Sequence, residues 1–243
     1  MNEIYMKFHE TEKIDKIEKH AEGMKFLEII NSNQLGTLKT ELTRFIMAYK
    51  FAVDEVSTKI NILREEFHFM HDYNPIENVK SRVKSPESII SKVLRKNLET
   101  TLPSIKENIL DIAGIRITCS FIADIYKISE MLQNQKDVTL LKCKDYIKNP
   151  KQNGYSSLHL IIEIPVFLSD RVERIPVEIQ IRTIAMDFWA SLEHKIFYKY
   201  NQEVPKRLIR ELKEAATTAA QLDLKMERIQ NDMNLVKEQH KLD

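Results

Sequence analysis

From Leu38 the apolar residues Leu42, Phe45, Tyr49, Val53, Val56, Ile60, Leu63, Phe67 and Met70 follow one another in steps of three and four. That spacing predicts a long helix, stopped by Asn74-Pro75. A weaker helical pattern lies around Glu12 to Ile30, with the stretch from Asn31 to Gly36 as the break between the two. After residue 75 the period changes. Ser85-Pro86-Glu87 reads as the cap and first turn of a helix to about Lys96, and a second helix is expected from Ile122 to Gln133. Between and beyond them stand β-rich runs at Ile112 to Phe121, Thr139 to Tyr146, Leu158 to Val166 and Pro176 to Arg182. Strands alternating with helices predict an α/β (α+β) core, a mixed sheet flanked by helices. After Thr183 the pattern is helical again. From Leu208 a heptad runs through Leu212, Ala215, Ala219, Leu222, Met226, Ile229, Met233 and Val236, a seam that calls for a partner, either the chain's own long arm or another subunit.

Charge narrows the function classes. The 37 basic and 36 acidic residues leave a net charge of +1, so the molecule as a whole lacks the footprint of a general nucleic-acid or membrane-surface binder. No run of about 18 apolar residues is present, and the acidic N-terminus does not have the order of a secretory signal, so a cytoplasmic protein with no membrane partner is expected. Cys119 and Cys143 lack CxxC spacing and read as free thiols. With 4 glycines in the whole chain, Gly114 and Gly154 stand out because both fall in segments that carry chemistry.

Four segments do so. Lys80, Arg82, Lys84, Lys92, Arg95 and Lys96 surround the helix start at Ser85 with Glu87 as their only acid, which suits a polyphosphate beside a helix N-terminus; alone, a solvated basic face explains it as well. Asp111-Ile-Ala-Gly-Ile-Arg116 opens a strand, and Asp111 and Arg116 can share one site only if the strand twists or bulges at Gly114. The segment from Tyr146 to His159 is a loop shaped by Pro150 and Gly154, bearing Lys148, Lys151, Asn153 and the aromatic face of Tyr155. In Val177-Glu-Ile-Gln-Ile-Arg-Thr183 the polar Glu178, Gln180 and Arg182 alternate with apolar residues, putting three polar groups on one strand face. Asp111 and Glu178 together offer two carboxylates to a nucleotide-bound Mg²⁺. His68 and His71 have no further ligand in register and read as a helix end.

In this order, with Trp189-Ala-Ser-Leu-Glu-His194-Lys195 following, these segments resemble the synthetase domain of the RelA/SpoT family, in its stand-alone small alarmone synthetases; the likeness spans about residues 40 to 215. It implies a nucleotidyltransferase-like fold with about five strands, and a division into an N-terminal helical arm (1–74), a synthetase core (75–200) and a C-terminal helix (201–243). It further implies an enzyme of the stringent response that moves pyrophosphate from ATP to the 3′-hydroxyl of GDP or GTP with Mg²⁺, releasing AMP, with no hydrolase domain. By the same likeness Arg82 and Arg116 would flank the adenine, and Lys84, Ser88, Lys92 and Arg95 would hold the ATP phosphates. Asp111 would bind the metal. Tyr155 would stack on guanine with Lys151, Asn153, His159 and Gln180 around the acceptor, and Glu178 would bind metal or take the 3′-hydroxyl proton. Assembly into homotetramers through the terminal helices is also implied. The alternatives are an RNA-directed nucleotidyltransferase, which normally has a second acid two residues along the strand, and a non-catalytic RNA-binding module, which the near-neutral charge and the two carboxylates disfavour.

Overall fold

The computed structural model describes residues 32–197 and 205–239; the helix expected around Glu12 to Ile30 lies outside them. The chain divides into two units, residues 1–46 and 47–243. Helix α1, Ser32–Met70, begins in the first unit and continues into the second. Its start corrects the expected break across 31–36, which is helical from Ser32 onward. Gly36 weakens a helix interior by about 1 kcal/mol, too little to end a helix of this length. In the second unit most of the stripe read from the sequence is buried: Tyr49, Val53, Val56, Ile60 and Phe67 are all at most 5 % exposed, whereas Leu63 is half-buried and Met70, at the helix end, is exposed. The helix ends at Met70, where Asn74 donates its side-chain amide to the Arg64 carbonyl and accepts from the Ile76 N–H.

Five strands follow: β1 (Ile76–Val83), β2 (Ala113–Cys119), β3 (Thr139–Asp145), β4 (Leu158–Phe167) and β5 (Val172–Thr183), arranged β1-β2-β5-β4-β3. β2 and β5 run parallel and every other neighbouring pair antiparallel, so the sheet is mixed as expected. Helix α2 (Pro86–Arg95) starts where the sequence placed it, with the Ser85 hydroxyl accepting from the Ser88 N–H. Helix α4 (Ile122–Gln133) also matches. Two elements escaped the sequence reading. β1 spaces its apolar Ile76, Val79 and Val83 by three and four rather than by two and buries only Ile76, so no alternation reveals it, and its extended form comes from pairing with β2. Helix α3 (Leu102–Asn108) spans seven residues, too few for periodicity to register.

β4 and β5 divide cleanly into faces. Leu160, Ile162, Ile179 and Ile181 point into the core with Ile115 and Ile117 of β2, where α4 adds Ile125, Ile128 and Leu132. Each such side chain contributes about 1.5–3 kcal/mol by leaving water. The opposite face of the sheet carries the polar residues. After β5 come helix α5 (Ile184–Phe197) and helix α6 (Lys206–Gln239), joined where the Trp189 indole donates to the Leu212 carbonyl at 3.0 Å and packs against Ala216. α6 is the expected C-terminal helix, but its inward face follows the heptad only in part: Leu212 and Ala219 pack inward and Ala216 and Asp223 are buried, whereas Leu222, Met226, Ile229, Met233 and Val236 remain exposed. Among the described residues no helix is long and apolar enough to cross a membrane.

Candidate active site

Strand register builds the site. On the polar face one row crosses the sheet as Arg82, Gly114, Glu178, Ile161 and Lys142, and the next as Lys80, Arg116, Gln180, His159 and Lys144. Neighbouring rows stand two residues apart along each strand, so their side chains emerge on the same side. Five strands that are scattered in sequence thus place a dense group of cations around one central carboxylate, Glu178.

Two cavities open on this face, and Glu178 borders both. The first, about 190 Å³, lies over β1 and β2 and is lined by Arg82, Gly114, Arg116 and Gln180. The second, about 200 Å³, is lined by Lys92, Lys96, Asp111, Lys142, Lys144 and His159. Asp111 precedes β2 in a turn, so strand alternation does not govern its direction. Of the twist or bulge that a shared site seemed to require at Gly114, no bulge forms: both ladders of β2 run unbroken through it, and the irregularity in the β1–β2 ladder lies between Ile76 and Asn78. A Cβ at Gly114 would meet the Arg82 side chain at an ordinary 3.6 Å, so the glycine keeps the cavity floor low without being forced by a clash.

The two carboxylates are differently held. Asp111 Oδ2 accepts from Lys92 at 2.5 Å and Lys84 at 3.0 Å, while its Oδ1 is buried with no hydrogen-bond partner. Burial pushes the Asp111 carboxyl upward, and the two lysines more than reverse this, leaving it below the usual range. Glu178 accepts from Gln180 at 3.1 Å and lies 3.5 Å from His159 Nδ1. It too sits below the usual range, because His159 and Gln180 outweigh burial and the repulsion of Asp111. Among the described residues no group of three or more His, Cys, Asp or Glu is arranged to hold a metal. A metal here would draw at most these two carboxylates from the chain, with the unpartnered Asp111 Oδ1 the readiest donor.

The loop after β3 supplies the aromatic part. Tyr155 shares its hydroxyl with His159 Nε2 (2.8 Å) and Arg182 (2.5 Å), and Lys151 lies 4.6 Å from its ring centroid. Gly154 holds the turn at φ 91°, and a Cβ there would come within 2.4 Å of the Ala216 Cβ on α6, so glycine is required on both counts. Asn153 is committed to the loop itself: its amide donates to Glu193 of α5 and its carbonyl oxygen accepts from the Tyr155 N–H.

Of the residues singled out in the sequence, Arg82, Lys84, Lys92, Asp111, Arg116, His159, Glu178 and Gln180 converge here, with Tyr155 and Lys151 beside them. Ser88 and Arg95 are exposed and line neither cavity. Sequence reading passed over Lys142 and Lys144, whose spacing of two on a strand was a readable signal, and Asp187 of α5, for which nothing in the local sequence speaks.

A family model described as the region found in RelA / SpoT proteins matches residues 81–203. The chain belongs to the RelA/SpoT family. This RelA/SpoT chain is 53 % identical over 208 residues to the GTP pyrophosphokinase YwaC of Bacillus subtilis, covering 86 % of the chain and 99 % of that protein. Its fold is similar to the crystal structure of small alarmone synthetase 2 from B. subtilis, with a TM-score of 0.72 and 54 % identity over 79 % of this chain and 99 % of the other. It is also similar to small alarmone synthetase 1 from B. subtilis bound to its product pppGpp, with a TM-score of 0.73 and 38 % identity over 79 % and 97 %.

Proposed function

We propose that this chain is a GTP pyrophosphokinase of the synthesis-only type, transferring the β,γ-pyrophosphate of ATP to the 3′-hydroxyl of GDP or GTP to give ppGpp or pppGpp and AMP. The observation that carries the reading is that one carboxylate, Glu178, borders two adjacent cationic cavities, as an in-line transfer between two nucleotides requires. The transfer needs alignment and charge neutralisation more than covalent participation. In this reading the cavity between Arg82 and Arg116 takes the adenine of the donor, and Lys84 and Lys92 face its phosphates. Lys142 and Lys144 join His159 at the acceptor's phosphates. Tyr155 stacks on guanine, and the exposed Lys151 swings from the tyrosine ring to the incoming phosphates. Ser88 and Arg95 act at the rim, and Asn153 acts by shaping the loop.

The 3′-hydroxyl oxygen attacks the β-phosphorus and gives up its proton to solvent, the bond from that phosphorus to the oxygen bridging the α-phosphorus breaks, and AMP departs. Glu178 accepts a hydrogen bond from the 3′-hydroxyl and so aims the oxygen. A carboxylate held below its usual range stores a proton poorly at neutral pH, which favours this orienting role or metal binding over that of a strong base. Mg²⁺ fits the site: its usual demand is one or two carboxylates plus phosphate oxygens and water, and Asp111 Oδ1, with Glu178, would hold it. When bound it neutralises charge on the transferring phosphates. A cytoplasmic setting, where ATP and GTP are supplied, follows from the same reading.

The test is incubation with Mg²⁺, γ-labelled ATP and GDP or GTP, followed by chromatography. Label in a guanosine tetra- or pentaphosphate with equimolar AMP is expected. ATP that stays intact with both acceptors over a range of divalent metals removes the proposal.

A further inference from the structure

We infer that Asp187, on the first turn of α5, is a positioning residue that ties the donor and acceptor halves of the site together. Its Oδ1 stands 3.2 Å from Arg116 NH1 and 3.2 Å from Arg182 NH1, so one oxygen is the counter-ion of two guanidinium groups. These arginines have different neighbours. Arg116 lines the cavity assigned to adenine, alongside Arg82. Arg182, with its side chain only 4 % exposed, lines neither cavity: it donates to the hydroxyl of Tyr155, the residue assigned to guanine, at 2.5 Å and to Gln180 Oε1 at 2.8 Å. Two cations this close repel each other, and their separation is held by the carboxylate between them.

Asp187 is itself well fixed. The Thr183 hydroxyl, last in β5, accepts from the Met186 N–H and caps α5, and the same hydroxyl donates to the buried Asp223 of α6 at 2.6 Å. The positive end of the helix further favours an acid in its first turn. A movement of Arg116 when a purine settles against it is therefore felt at Arg182, Tyr155 and Gln180 through a single shared oxygen. The inference rests on the assignment of the first cavity to the donor and of Tyr155 to the acceptor.

Isothermal titration with the Mg²⁺ complex of the non-hydrolysable analogue AMPCPP and, separately, with GDP tests it. Asp187→Asn, which keeps shape and removes charge, is expected to raise both Kd values about tenfold or more. Asp187→Glu retains the charge one methylene away and recovers most of both losses, leaving each Kd raised by about threefold. A rise for one nucleotide only, or for neither, overturns the tie; so does a glutamate variant as weak as the asparagine one. Should Asp187→Asn not fold, the glutamate variant is decisive alone, since a one-sided or absent effect overturns the tie and a small two-sided one upholds it. Arg82→Ala checks the cavity assignment: it weakens AMPCPP and spares GDP. If it spares AMPCPP, the donor assignment falls, and the tie with it, whatever Asp187→Asn does.

Discussion

At the level of single residues, Asp111 and Glu178 show how a cationic surround sets the working form of an acid. Both are buried enough for their charge to be costly, and both are nonetheless held below the usual carboxylate range by lysine, histidine and amide partners. A lowered folded value means that their contribution to stability is present above the ordinary carboxylate value, about 4, and is lost only as pH falls through the lowered one. The acid limb of kcat/KM for pyrophosphate transfer should therefore lie below the ordinary carboxylate range. Glu178→Gln is expected to cut turnover by at least about 10²-fold while GDP binding, read by titration, largely survives. Full activity in that variant would show that the charge is not needed. These two acids were legible in the sequence because Asp111 opens a strand that carries Arg116 and Glu178 shares one strand face with Gln180 and Arg182, patterns that local sequence carries. Asp187 was not, because its two partners lie 71 and 5 residues away and only the fold brings them to one oxygen.

Secondary-structure elements were read with uneven success, for a physical reason in each case. α4, β4 and β5 bury one face and expose the other, so periodicity announced them. β1 exposes nearly all of its length and exists by hydrogen bonding to β2, a long-range partner that local pattern cannot report. α6 sits between these cases: its helical state was plain, yet the face turned inward takes only Leu212 and Ala219 from the heptad and adds Ala216 and Asp223 to them. Asp223 makes a test of that docking. Burial raises its carboxyl above the usual range and Glu227 adds to this, although the Thr183 hydrogen bond opposes them. A raised folded value makes the native state bind its proton first, so stability from this group rises as pH falls from the raised value toward about 4. Asp223→Asn should hold stability at pH 7 and flatten that rise in urea melts at pH 5 and 7; Asp124, also raised, keeps its own share. Asp223→Ala, which strands the Thr183 hydroxyl, should cost about 1–3 kcal/mol. Equal melts for the alanine variant and the parent would mean that α6 is held by other contacts.

For the molecule as a whole, the open side of α6 is the outstanding feature. Leu222, Met226, Ile229, Met233 and Val236 are each 43–52 % exposed, and Leu222 and Met226 help line an open groove of about 1440 Å³ with Phe188 and Trp189 of α5. A net charge of +1 offers little repulsion between copies. We propose that this seam contributes to a homo-oligomer, a tetramer by family resemblance. Light scattering on a sizing column should give a multiple of 28.6 kDa for the parent and a smaller mass for Met226→Asp/Ile229→Asp. A monomeric parent at micromolar concentration would end that proposal.

The two rows across the sheet work as a ruler. Their pitch is the strand spacing, about 4.8 Å, fixed by backbone hydrogen bonds and not by the reach of flexible side chains. The gap between the two nucleotides is thus written into the same ladder that holds the core. A single residue inserted into β5 ahead of Glu178 would turn Glu178, Gln180 and Arg182 inward and Ile179 and Ile181 outward, so catalysis and folding would be lost in one step. The two edge ladders, β1–β2 and β3–β4, each contain a shift of register, whereas both ladders of the central β5 run unbroken past Glu178, so a change of length is costliest there.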